Sequence, residues 1–295
     1  MSRVAPQGWR GGWSDGVRYG GLGLPLAFVA LPLYVILPNH YATAFGVPLA
    51  ALGAMLLGAR LLDALADPWI GLWADRWFDR GAQRLRVVLL LAAVTLALGF
   101  FGLFFPPVEG IDALLWWCAG LLAVTYLSFS VLSVLHQAWG ARLGGHSAQR
   151  ARIVSWREGF ALVGVLVASV LPSTAGLGAA TVVFALLLAV GVALLLRAPQ
   201  ARAQRGDHAA PDPTHWRAPL ATPAFRRLLA VYLVNGIAAA VPATLVLFFI
   251  RDRLQLPAFE PLFLASYFAA GALSMPLWVR LVARIGLARA WLAGM

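Results

Sequence analysis

The sequence predicts an all-α integral membrane protein, and three observations carry that prediction. Of its 295 residues, 61% are hydrophobic and 12% charged, whereas soluble globular chains run near 45–50% apolar and about 25% charged. Apolar stretches of about 20 residues recur along the chain, each long enough to cross a bilayer as a helix. The arginines gather in alternate connections between those stretches, the bias that sets orientation in a membrane. A net charge of +11 in a soluble protein would point to nucleic acid. Here loop arginines account for it, and the expected partners are a lipid bilayer and a small solute, with no nucleic acid. A soluble enzyme and a disordered chain are excluded. The single cysteine, Cys118, cannot form a disulfide within the chain.

Eight spans are expected, at 18–38, 47–75, 86–106, 113–138, 155–174, 177–197, 226–250 and 259–282. A ninth begins at Trp291 and stops at Met295. The one long connection carries Pro199, Pro211, Pro213, Pro219 and Pro223 among polar residues. The predicted organisation is therefore a six-helix bundle over 1–197, a Pro/Arg-rich cytoplasmic linker over 198–225, and the start of a second bundle over 226–295. Six spans, a linker and further spans follow the plan of a two-halved transporter. The first apolar segment is too long for a signal-peptide core and no small-residue cleavage site follows it, so no cleavable signal is expected.

Each connection fixes orientation in turn. Arg3, Arg10 and Arg18 precede the first span; Arg76, Arg80, Arg84 and Arg86 follow the second; Arg142, Arg150 and Arg152 follow the fourth. Arg197, Arg202, Arg205, Arg217, Arg226 and Arg227 flank the linker, and Arg280, Arg284 and Arg289 close the eighth span. Only Arg251 and Arg253 fall on the opposite side. The N-terminus and the linker are thus expected in the cytoplasm, with the chain in the inner (plasma) membrane. The two halves also echo each other: Pro68 is followed by Arg76, and Pro276 by Arg284, eight residues on in both cases.

The second span holds the costly residues. Arg60, Asp63, Asp67 and Gly71 fall within an arc of about 80° on one helix face, and the two carboxylates stand about 6 Å apart along the axis. Each ionisable group at a helix centre costs about 2.5–3.5 kcal/mol on insertion scales, so such residues face a bundle interior and mark an ion or substrate path. An Arg60–Asp63 ion pair that only fixes packing accounts for one carboxylate and not for the second. Paired carboxylates suit a proton or a small hard cation. Asp63 and Asp67 are therefore read as ligands of a small hard cation or a proton, with Arg60 beside them. Pro68 weakens the backbone ladder next to them.

Arg60-x-x-Asp63-x-x-x-Asp67-Pro68 resembles the second-helix signature of the glycoside–pentoside–hexuronide:cation symporters of the major facilitator superfamily. Gly71-Leu-Trp-Ala-Asp75-Arg76, with Arg80 and Arg84 beyond, resembles the superfamily's loop motif between helices two and three. Gln149-Arg150-Ala-Arg152 followed by Arg157 resembles the family's basic stretch into helix five. The resemblance implies a major-facilitator bundle, here a complete N-terminal half with the first two helices of the C-terminal half, as of a chain cut short. It implies Na⁺ or H⁺ as coupling ion with no other cofactor, a sugar-like or other small organic solute, and a monomer when full length. It implies a substrate cavity near Arg157, Tyr126, Ser130 and Asn235, and a cytoplasmic gate of Gly71, Asp75, Arg76 and Arg80. The family's sugar-binding aspartates in helices one and four are replaced by Pro25 and Ser130, so the sugar site is not carried over.

The remaining polar residues have plainer readings. His136 and Gln137 are expected to end helix four as a polar cap at headgroup level, and Glu158 to sit with Arg157 at a membrane edge. Trp116-Trp117 and Trp9/Trp13 suit interfacial anchoring. A lipid-modifying intramembrane enzyme would need a nucleophile with its base, or a metal cluster, and neither pattern is found. A non-transporting or accessory fragment is the other alternative.

Overall fold

The computed structural model describes residues 9, 11–144, 146–199, 218–256 and 259–294. The middle of the expected linker, 200–217, lies outside them, as do Arg3 and Arg10. Helix is the regular structure throughout, and no strand occurs among the described residues. The chain divides into two compact units, Met1–Gln204 and Arg205–Met295.

The first unit contains six long helices. We number them α1 (Trp13–Phe45), α2 (Leu49–Asp79), α3 (Ala82–Phe104), α4 (Ile111–Arg142), α5 (Ser147–Pro172) and α6 (Thr174–Leu196). Five helices among the described residues, all but α2, are long and apolar enough to cross a membrane. Helix α2 has 31 residues, about 46 Å at 1.5 Å per residue, with the charged positions inside it. Gly176, at φ 83° and ψ 166°, is a non-helical residue near the start of α6, where the sequence predicts a boundary. The exposed faces of α3 (Leu90, Val94, Leu98, Phe101) and α6 (Val182, Leu186, Val190) are apolar. Contiguous apolar surface on helices of this length belongs against lipid. The chain is a multi-pass membrane protein.

Helix α1 departs most from a straight rod. It is built of Trp13–Gly20, Gly23–Leu31, a π-turn at Pro32–Ile36 and Leu37–Phe45. Proline lacks the N–H that an α-helical ladder needs, and Pro25, Pro32 and Pro38 recur along this helix. In the π-turn the Leu37 N–H reaches the Pro32 carbonyl five residues back, and such turns collect at functional sites. The interior is closed by rings: Phe184 of α6 lies 5.8 Å from Phe28 of α1 and 4.6 Å from Phe100 of α3.

Small residues let α1 and α5 approach closely. A Cβ at Gly20 would stand 2.7 Å from the Trp156 carbonyl oxygen, and one at Gly164 would collide with the Leu24 carbonyl. Without a water-driven hydrophobic force between helices, such backbone approach supplies much of the packing in lipid.

The second unit contains α7 (Ala218–Ala221), α8 (Pro223–Phe248), a π-turn at Phe249–Arg253, α9 (Glu260–Ile285) and the short α10 (Leu287–Gly294). The echo between the halves recurs here. Pro68 lies inside α2 with Arg76 in its last turn, and Pro276 lies inside α9 with Arg284 in its last turn. The C-terminal stub begins at Leu287, four residues before Trp291, because Gly286 (φ 82°) ends α9 there.

The second helix corrects one boundary. It runs to Asp79, past the expected end at 75, so Asp75 and Arg76 lie on the helix and not in a loop. The connection shrinks to Arg80 and Gly81, the latter at φ 101°, a conformation open to glycine.

Candidate functional site

Helices α2 and α4 pack side by side, and their contact brings the two aspartates to one serine. The Ser130 hydroxyl lies 2.5 Å from Asp63 Oδ1 and 2.8 Å from Asp67 Oδ1. The i, i+4 spacing puts both carboxylates on the same stripe of α2, and Ser130 faces them from α4. A serine hydroxyl has one proton to donate. It donates to one carboxylate at a time, so the second oxygen contact needs a proton on a carboxyl or a cation among the three oxygens. Asp63 is half-buried and Asp67 exposed on the surface of this unit. Two carboxylates and a hydroxyl form a hard-oxygen set suited to a small cation. Sequence reasoning places Ser130 near a substrate cavity; the structure brings it to the aspartates.

Arg60 does not close on Asp63. Its guanidinium carbon lies 3.8 Å over the centre of the Tyr34 ring, and among the described residues it makes no carboxylate ion pair. Tyr34 in turn stacks on Tyr126, centroids 5.7 Å apart and planes 20° from parallel. The π-turn of α1 carries Tyr34, and Tyr126 precedes Ser130 by one turn of α4. An Arg60–Tyr34–Tyr126 stack therefore stands beside the Asp63–Ser130–Asp67 cluster. The Arg60–Asp63 ion pair of the packing-only alternative does not form; the ring face competes with it for the guanidinium. Tyr34 carries no charge and no motif, and sequence reasoning missed it.

A second polar group lies between α1, α4 and α5. Arg157 donates from Nε (2.9 Å) and Nη2 (2.6 Å) to the same oxygen of Glu158. Both line a cavity of about 260 Å³ with Gly23, Phe129, His136 and Gln137. His136 is 1% exposed, six residues inside the end of α4, with Nε2 2.7 Å from the Tyr19 carbonyl oxygen. The expected headgroup cap is thereby corrected to a buried histidine, because α4 continues to Arg142. A carbonyl accepts only, so Nε2 carries the proton. Tyr19 O is available because α1 breaks after Gly20.

At the end of α2, Asp75 accepts from Arg142 Nη2 of α4 at 2.8 Å. The Arg142 guanidinium also covers the Phe78 ring at 4.0 Å, and its Nη1 is buried without a hydrogen-bond partner among the described residues. Arg76 and Arg80, expected as partners of Asp75, make no ion pair among the described residues. Gly71 faces open space. Asn235 is half-buried on α8, in the second unit.

Residues 18–295 match the family model described as MFS/sugar transport protein. The chain belongs to that family. Among its relatives in Escherichia coli strain K12, the inner membrane symporter YicJ is 29% identical over 131 residues, 44% of this chain and 28% of the relative. YagG, named for glycoside/cation symport, is 27% identical over 156 residues, 52% of this chain and 34% of the relative. Each match spans about a third or less of the relative's length. The likeness read from the second-span motif to the glycoside–cation symporters of the major facilitator superfamily therefore holds.

Proposed function

We propose that this chain forms the N-terminal bundle, and the first helices of the second, of a secondary transporter. It moves a small, sugar-like organic solute across the inner membrane, driven by Na⁺ or H⁺ through alternating access. It is not an enzyme, needs no organic cofactor and works as a monomer. The N-terminus and the 198–225 linker lie in the cytoplasm, a reading supported by the arginine distribution. Asp63, Asp67 and Ser130 bind the coupling ion, and Arg60 sets the charge beside them. Arg157, Tyr126 and Asn235 border the solute path, and Gly71 and Asp75, with Arg76 and Arg80 near them, act in the cytoplasmic gate.

The observation that carries this reading is the convergence of two carboxylates on one hydroxyl. Two like charges this close in a membrane-embedded helix need a cation or a proton to relieve them. Binding of that ion is reciprocal with binding of solute. The test uses vesicles holding the transporter that carries this chain. Asp63→Cys and Asp67→Cys should each abolish gradient-driven accumulation while solute counterflow persists. Accumulation at the parent level, with the parent's ion dependence, in both variants would make the pair structural.

A further inference from the structure

The cavity at Arg157, the inner of two, has a neighbour along α5. An outer cavity of about 520 Å³ lies beside it, toward the start of α5, and the two share Gln137 and Arg157. The outer cavity is lined by Arg150, Arg157, Gln137 and Tyr19, with apolar walls from Val134 and Ile153 among others, and no carboxylate lines it. Arg150 and Arg157 are seven residues apart on α5, about 10.5 Å along the axis and within about 20° of one face. Glu158 uses one oxygen to occupy two of Arg157's five N–H groups, and the Tyr19 hydroxyl engages the same guanidinium, which still leaves N–H donors for a ligand. Arg150 makes no ion pair among the described residues, so the outer cavity carries uncompensated positive charge. Tyr19 reaches this wall because Gly140 opposite it has no side chain; a Cβ there would strike the Tyr19 hydroxyl.

We propose that this outer cavity is an anion-binding site. Arg150 and Arg157 supply the cations, Gln137 a neutral donor, and the apolar walls hold the remainder of the ligand. The ligand class is an organic anion, a carboxylate or phosphate monoester on a partly apolar body. Guanidinium groups recognise such planar or tetrahedral oxyanions with directed, charge-assisted hydrogen bonds. The same chemistry is offered by a dissolved solute and by a phospholipid head, and in the first case the inference rests on the transporter reading above. Glu158 borders only the inner cavity, so the anion is held on the Arg150 side of Arg157.

The experiment uses the purified full chain in neutral detergent, without any ion gradient, so that its outcome is separate from that of coupled transport. Benzoate and phenyl phosphate are titrated calorimetrically against benzyl alcohol as the neutral counterpart. Retention of phosphatidylglycerol against phosphatidylcholine is read in parallel by native mass spectrometry. Arg150→Gln should weaken the anion at least tenfold, and Arg152→Gln, on the same stretch but outside the cavity lining, should leave it unchanged. Circular dichroism melts establish that each variant is folded, and Arg150→Lys, if Arg150→Gln does not fold, keeps the charge while losing the fork. Anion binding by the soluble probes that needs Arg150 assigns a solute site. Phosphatidylglycerol retention alone, lost in Arg150→Gln, assigns a lipid-head site. Equal binding of benzyl alcohol, an equal loss in Arg152→Gln, or no dependence on Arg150 in either arm overturns the proposal.

Discussion

Arg142 of α4 closes on Asp75 of α2 at 2.8 Å while its guanidinium covers the Phe78 ring at 4.0 Å. Arg142 is 9% exposed in its side chain and Asp75 52%, so the arginine is the desolvated partner. Removing Asp75 leaves a buried cation without its carboxylate, whereas removing Arg142 leaves a carboxylate already in reach of water. Asp75→Asn should therefore open the Asp75–Arg142 ends of α2 and α4 more than Arg142→Gln does. The expected cost is about 1 kcal/mol, since half-exposed pairs are screened. Thiol labelling of a cysteine placed at Phe78 checks it. The double variant should cost less than the two single changes summed, because both remove the same ion pair.

The close approach of α1 to α5 makes a second expectation. Gly20→Val places a side chain against the Trp156 carbonyl and should destabilise the bundle by about 1–3 kcal/mol, seen as a lower melting temperature in detergent. Gly71→Ala meets nothing within 4 Å and should leave that temperature unchanged. If Gly71 belongs to the gate, the same substitution still slows transport, because the contact that matters forms in another conformation.

These residues also show what a sequence can and cannot reveal. Five of the six long helices of the first unit are legible from hydropathy, and Arg60, Asp63 and Asp67 stand out in the sixth because charge in an apolar helix is costly. The end of α2 was not legible: Asp75 and Arg76 look like loop charges until the helix is seen to run on to Asp79. Partners were harder still. Arg142 lies 67 residues from Asp75, and His136 117 residues from Tyr19, so each pairing depends on how helices pack and not on local spacing. Tyr34 had no signal except the prolines around it, which produce the π-turn that carries it. Ser130 was noticed only as a replacement for an acidic residue, and its two bonds to α2 follow from the α2–α4 contact.

The Arg60–Tyr34–Tyr126 stack leads to a third expectation. While Arg60 rests on the Tyr34 ring, it stands beside the aspartates without forming an ion pair with either of them. Tyr34→Ala removes both the ring face and the stack on Tyr126, at a cost of about 1–2 kcal/mol, and frees Arg60 to reach Asp63. An internal cation then competes with the external one. Activation by Na⁺ should shift to higher concentration in Tyr34→Ala and not in Tyr34→Phe, which keeps the ring. Na⁺ titration of solute binding measures it, and an equal shift in both variants would count against the competition.

The last expectation isolates Ser130. Its hydroxyl is the only described group that touches both carboxylates, and hydrogen bonds to charged groups contribute about 1.5–3 kcal/mol. Ser130→Ala should weaken Na⁺ binding by roughly 10- to 100-fold, at 1.4 kcal/mol per tenfold. Ser130→Thr keeps the hydroxyl and should retain most of the affinity. Because protons and Na⁺ would occupy the same oxygens, acidification should raise the Na⁺ concentration needed for half-maximal uptake. That competition should persist in Ser130→Thr. In Ser130→Ala the carboxylates lose their shared donor and are left to a proton, so the balance should move toward H⁺. Gradient-driven uptake across a matrix of Na⁺ and pH, with counterflow beside it, separates ion affinity from solute passage. Half-activation by Na⁺ that is the same in Ser130→Ala as in the parent at every pH would show that the hydroxyl serves packing between α2 and α4, and that the ion lies elsewhere.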